Sequence, residues 1–155
     1  MKQGLLNRPY PFNYNRAQHS LGIVFGVGVF IFLFSYIIQP FEIEQLVIDS
    51  AALASLYYAL ITTANCAFFL LLLPIAFRNY FKEEKWTVGK EIFWIGVLLM
   101  SITVSNWGMH HYAFKEEFMA TYGQGMLFLE TLLNTFFIGL IPTVVIVLLN
   151  QVRLA

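Results

Sequence analysis

Charge is scarce in this chain. Nine lysines and arginines and nine aspartates and glutamates make up 12% of its 155 residues, against about 25% in a typical soluble domain. A soluble domain of this length has too much surface to cover with so few ionised groups. The two signs cancel to a formal net charge of zero, which leaves no basic face for nucleic acid. Cysteine is nearly missing too. Cys66 stands alone, so an internal disulfide is excluded and the redox compartment stays open. A cleaved secretory leader is not expected, because "LNRPYPFNYNR" precedes the first apolar run and no small-residue cleavage site follows it. Internal repeats and low-complexity linkers are also lacking. No Ser/His/Asp set, phosphate loop or pair of catalytic carboxylates is evident, so neither an enzyme nor a cofactor is expected.

What fills the chain instead is apolar: 59% of it is hydrophobic and 17% aromatic. A helix needs roughly 20 mostly apolar residues to cross the hydrocarbon of a bilayer. Four segments qualify, at about 21–38, 51–77, 92–109 and 126–149. The first ends at "QPFE", where Pro40 stops the helix, and the last holds one charge, Glu130, and one internal proline, Pro142. No strand-period alternation competes, and lipid admits only helices or closed barrels. The expected fold is an all-α, integral membrane four-helix bundle over 21–153, preceded by a polar segment, 1–20.

Basic residues decide which way such a bundle faces. Lys2, Arg8 and Arg16 precede the first span; Arg78, Lys82, Lys85 and Lys90 lie between the second and third; Arg153 follows the fourth. The other two loops carry only Lys115, beside Glu42, Glu44, Asp49, Glu116 and Glu117. Both termini are therefore expected in the cytoplasm. "FKEEKWTVGKEIFW", residues 81–94, becomes the cytoplasmic turn between helices two and three. Its lysines hold the turn inside, Trp86 and Trp94 are expected at headgroup depth, and Thr87 is a candidate N-cap.

Polar side chains within spans are costly and face protein or water. Ser55, Tyr58, Thr62 and Asn65 recur at helical spacing on the second span, and Thr103, Asn106 and His110 on the third. Glu130, Thr131 and Asn134 share a turn of the fourth, and Ser35 and Tyr36 close the first. With the expected topology all of these fall in the outer leaflet, above apolar inner halves. Two readings stand. The groups are hydrogen-bonding glue between helices, or they line a cavity open to the outside that takes a small polar ligand. In the second reading Glu130 is the charge centre, with Asn134, His110, Asn106, Asn65, Tyr58 and Thr62 around it.

Other signals are sparser. His110 and His111 beside Glu116 and Glu117 suggest a metal, but adjacent helical residues point about 100° apart, so no metal site is expected. Gly22 and Gly26 form a G-x-x-x-G pair suited to a close helix contact, within the bundle or in a homodimer. Pro142, after Gly139, is a candidate hinge. Four short helices offer no evident path for transport through the apolar half.

Four stretches, "LNRPYPFNYNR", "VFIFLFSYIIQPFEI", "FKEEKWTVGKEIFW" and "GLIPTVVIVLLNQVRL", together resemble the N-terminal membrane region of LytTR-type transcriptional regulators of Bacteroidota. The resemblance implies four membrane helices in the bacterial inner membrane, followed by a cytoplasmic DNA-binding output domain that works as a dimer. Such an output domain is absent from these 155 residues, so no residue here binds nucleic acid. The resemblance fits either the membrane part of a longer regulator or a free-standing relative. It implies a sensor or anchor module whose partners are the lipid bilayer and a second copy. The alternative is a small non-enzymatic subunit or scaffold of a larger membrane complex.

Overall fold

The computed structural model describes residues 5–10, 17–39, 50–113, 120 and 123–154. Four helices dominate: α1 (Ala17–Ile38), α2 (Ala51–Ala76), α3 (Val88–Ala113) and α4 (Gln124–Leu154). All four are long and apolar enough to cross a membrane, which makes the chain a multi-pass membrane protein by its architecture. They coincide with the four expected spans, and α1, α3 and α4 run past the apolar stretches at their ends. Among the described residues no strand forms; one isolated bridge joins Pro9 to Thr87. Pro40 and the loop residues Lys2, Arg16, Glu42, Glu44, Asp49, Lys115, Glu116 and Glu117 lie outside the described residues.

Successive helices run antiparallel. Tyr58 near the start of α2 meets His110 near the end of α3, and His110 meets Thr131 near the start of α4. One end of the bundle, here called distal, therefore carries Ser35, Tyr58, His110 and Thr131. The opposite, terminal end carries the start of α1 and the α2–α3 turn. Phe25, Phe93 and Phe137 are 73%, 63% and 69% exposed, which in water would be prohibitive and in lipid is favourable. Two apolar clusters fill the interior. Ile31, Tyr58, Leu127 and Ile138 pack toward the distal end, and Val24, Cys66, Leu70 and Ile102 lie below them.

Local sequence explains the helix details. Ser50 caps α2, its hydroxyl accepting from the Leu53 amide at 3.4 Å. Thr87 caps α3 as expected, accepting from the Lys90 amide at 3.4 Å. Within α2 the residues Phe68–Leu72 form a π-helical turn, directly before Pro74. Proline has no N–H to give the preceding turn, and a widened turn absorbs that loss. The wider turn also lets the adjacent residues Phe69 and Leu70 both be buried, Phe69 against Trp94 with ring centroids 5.3 Å apart.

The charged stretch packs its tryptophans against protein. Trp86 is 1% exposed, stacked on Phe81 with centroids 5.3 Å apart, in a cluster with Tyr10, Leu73 and Trp94. Its indole N–H donates to the buried Glu91 carboxylate at 2.7 Å, so the polar edge is satisfied by protein and not by the interface. The N-terminal strap, Leu5–Tyr10, closes over this cluster. The Tyr10 amide donates to the Trp86 carbonyl at 3.1 Å, and the Val88 amide donates to the Arg8 carbonyl at 3.0 Å. Gly89 lets the strap approach closely, since a Cβ there would sit 3.1 Å from the Leu6 carbonyl and push it back by a few tenths of an ångström. Lys90 folds back, its ammonium donating to the Lys85 carbonyl at 2.8 Å and resting 5.4 Å from the Tyr80 ring. Trp86→Phe keeps most of the packing but deprives Glu91 of that donor. It is expected to lower resistance to unfolding in sodium dodecyl sulfate by about 1 kcal/mol, and an unchanged midpoint would show the bond to be idle.

Candidate functional site

Three helices are tied together at the distal end by one chain of hydrogen bonds. The Tyr58 hydroxyl lies 2.7 Å from His110 Nε2, His110 Nδ1 lies 3.1 Å from the Thr131 hydroxyl, and that hydroxyl donates to the Leu127 carbonyl at 2.8 Å. Thr131 has a single hydrogen, already given to Leu127, so it can only accept from His110 Nδ1–H. His110 Nε2 is then an acceptor, and Tyr58 donates to it. One direction of donation thus runs from α2 through α3 into α4. All three side chains are buried.

Asn65 belongs to a separate polar knot between α2 and α3. Its amide nitrogen donates to the Ile61 carbonyl at 2.9 Å and to the Ser105 hydroxyl at 3.2 Å, and its oxygen accepts from Ser101 at 2.7 Å. This residue behaves as interhelical glue. The stripe seen in the sequence therefore divides: Tyr58 and Thr62 face the bundle axis, whereas Asn65 turns toward Ser101 and Ser105.

Along the axis runs a cavity of about 80 Å³, walled by all four helices. Its distal half is lined by Ser35, Tyr58, Thr62, Asn106 and Thr135, all buried. Below them the wall is apolar, with Ile23, Leu70, Leu98, Leu99 and Ile146, and it includes Gly139 and Pro142 of α4. A smaller cavity of about 60 Å³ shares this apolar floor and reaches Glu91 and Trp94. Asn106 is 3% exposed and Thr135 5% exposed, yet Asn106 Oδ1 and Thr135 Oγ1 have no hydrogen-bond partner among the described residues. A buried polar atom left in this way costs about 1–3 kcal/mol, so it calls for a partner.

The expected site residues are thus dispersed. Tyr58, Thr62 and Asn106 line the cavity and His110 supports it through Tyr58. Glu130 and Asn134 are half-buried on α4, engaged in other interactions, and are not part of the cavity wall. Among the described residues no three His, Cys, Asp or Glu side chains converge as metal ligands. His110 and His111 diverge, and His111 Nδ1 lies 3.0 Å from the Gln124 side-chain amide. Gly22 and Gly26 make no close helix contact among the described residues, where a Cβ on either would meet nothing within 4 Å. The close approaches occur at Gly28, against the Thr63 hydroxyl, and at Gly139, against Leu99. Ser35 lines the wall as the cavity reading has it, whereas Cys66, Thr135 and Thr143 went unmarked in the sequence as wall residues. Their spacing from Pro142 and Asn106 was visible, but small residues in apolar runs ordinarily signify packing.

Pro142 lies within an unbroken α4 and bears on the same cavity. With no N–H it leaves the Ile138 carbonyl without its helical donor. One turn on, the Thr143 hydroxyl donates to the Gly139 carbonyl at 2.7 Å. Pro142 thus removes one backbone bond from this stretch of α4, while the Thr143 hydroxyl adds one beside it. No protein family, curated protein or solved structure matches the chain.

Proposed function

We propose that the chain is a membrane-embedded sensor module, whose axial cavity reads a signal and whose fourth helix passes it to an output domain. In this reading the protein works in the bacterial inner membrane with both termini in the cytoplasm, and the output domain is of the LytTR type. One observation supports it above the rest: α4 walls the cavity with Thr135, Ile138, Gly139 and Pro142 and then continues to Leu154. An occupant that fills the cavity presses on the weakened turn at Pro142, and a small tilt there is magnified toward the end of the helix. The resemblance of "FKEEKWTVGKEIFW" and the ends of the chain to the regulators' membrane region supplies the identity of the output.

The test is a fusion of Ala155 to a dimeric LytTR DNA-binding domain, with transcription from its target promoter as readout. Pro142→Ala restores the missing backbone donor and stiffens α4. It is expected to change output at least threefold at equal protein level, as is Thr135→Val; Glu130→Gln, away from the cavity wall, tests the charge-centre alternative. A passive tether would give the same output from all three variants and the parent, and that result would end the sensor reading.

A further inference from the structure

Three threonines of α3 and α4 settle their hydroxyls locally. Thr103 donates to the Leu99 carbonyl at 2.9 Å, Thr131 to that of Leu127 at 2.8 Å and Thr143 to that of Gly139 at 2.7 Å. A bond to the carbonyl four residues back is the local option open to any threonine in a helix. Thr135 stands between two of these residues on α4 and does not take it. Its Oγ1 is buried without a partner among the described residues, and the side chain lines the axial cavity. Asn106 of α3 does the same, lining that cavity with a buried Oδ1 that is equally unpartnered. Two polar side chains from different helices thus open on one space.

The space decides what can answer them. A water molecule needs roughly 10–15 Å³ of free volume and two to four polar partners. The cavity, at about 80 Å³, has room for a few waters and not for a lipid chain. Partners are at hand, since the side chains of Ser35, Tyr58 and Thr62 line it beside Asn106 and Thr135. No charged side chain does, so an ion would be buried without a counter-charge, at heavy cost. Water both donates and accepts. It therefore satisfies the Asn106 amide whichever way round the group lies, and the Thr135 hydroxyl as well. Leu70, Leu98 and Ile102 on the remaining wall offer water nothing, which keeps it to the polar part.

We infer that the polar part of the axial cavity holds a small cluster of ordered water molecules that bridges Asn106 of α3 to Thr135 of α4. A bridging water is enthalpically nearly as good as a direct hydrogen bond. It is also more adaptable, so α4 can shift against α3 while the same groups stay satisfied. The inference deepens the sensor reading by naming what a movement of α4 must rearrange. That use rests on the sensor reading; the water itself does not.

The intact chain in phosphatidylcholine nanodiscs is given a millisecond synchrotron X-ray pulse, which makes hydroxyl radicals from water wherever it lies. Oxidised residues are read by mass spectrometry, with yields corrected for side-chain reactivity. Tyr58 and Ile138, buried on the cavity wall, are expected to oxidise at least fivefold more than Val24 and Leu127, buried away from it. Asn106→Leu with Thr135→Val removes both ends of the bridge. It is expected to cut oxidation of Tyr58 and Ile138 at least fivefold and to leave the exposed Tyr112 unchanged. Should that double variant fail to fold, the contrast on the parent protein decides alone. Oxidation of Tyr58 and Ile138 no higher than that of Val24 and Leu127 would show a dry cavity and overturn the inference. So would oxidation that persists in a folded double variant, because the water would then owe nothing to Asn106 and Thr135. The two readings fail separately: cavity water with no reporter response upholds the bridge and ends signalling through it. A reporter response to the cavity variants with a dry cavity ends the bridge and keeps the sensor.

Discussion

His110→Leu is expected to weaken the bundle by about 2–3 kcal/mol, measured as unfolding in sodium dodecyl sulfate followed by circular dichroism. A single hydrogen bond between membrane helices is worth about 0.6 kcal/mol on average, which by itself would make this substitution minor. Two features raise the figure. The imidazole serves α2 and α4 at once, so its loss cuts both the 2.7 Å contact to Tyr58 and the 3.1 Å contact to Thr131. It also takes from the buried Tyr58 hydroxyl the partner at 2.7 Å, and weakening the bonding of a buried polar group costs about 1–3 kcal/mol. The edge-on packing of the two rings, centroids 5.6 Å apart, is lost as well. Tyr58→Phe leaves the contact between His110 and Thr131 in place and should cost less, about 1 kcal/mol. If His110→Leu were no worse than Tyr58→Phe, the relay would not be acting as a unit.

Gly28→Leu should be comparably harmful, about 2–3 kcal/mol, by overpacking instead of by lost bonding. Even a Cβ at Gly28 would collide with the Thr63 hydroxyl, and Thr63 is β-branched with little rotamer freedom in a helix. α1 would have to lift from α2, its main partner in the bundle. Gly22→Leu and Gly26→Leu face open space and should cost less than about 0.5 kcal/mol. The comparison uses one chemical change at three positions on one helix, so propensity cancels and only the surroundings differ. Equal losses at all three would mean that α1 is rotated about its axis from the orientation described here. Losses at Gly22 and Gly26 that appear only on dilution would instead reveal a homodimer contact.

The four helices were legible from sequence because hydrocarbon imposes a length and a composition that few other environments demand. Where Thr87 acts was legible for the same kind of reason, since an N-cap has a fixed backbone consequence. The gathering of Tyr58, Asn106 and His110 at one end could also be read, from helical spacing and alternating direction. Rotation about the helix axes could not. Asn65 and Thr62 are three residues apart on one stripe, yet one binds Ser101 and Ser105 while the other faces the cavity. Which neighbour each meets depends on a few tens of degrees that no period reveals. The same uncertainty assigned the close contact to Gly22 and Gly26, whose motif is familiar, and passed over Gly28. The Trp86 pocket was illegible for another reason: tryptophan beside lysine fits a bilayer surface and also a protein pocket whose carboxylate takes the indole N–H.

The strap over Trp86 has a temporal consequence. Pro9 cannot meet Thr87 until 78 more residues have left the ribosome, an interval of several seconds at roughly 5–20 residues per second. By then α1 and α2 have both been made, so residues 5–10 stay without their partner turn until both helices exist. The strap can close only on a formed turn at Trp86–Val88, and exposure of residues 5–10 to protease during synthesis would time the moment when that turn is in place.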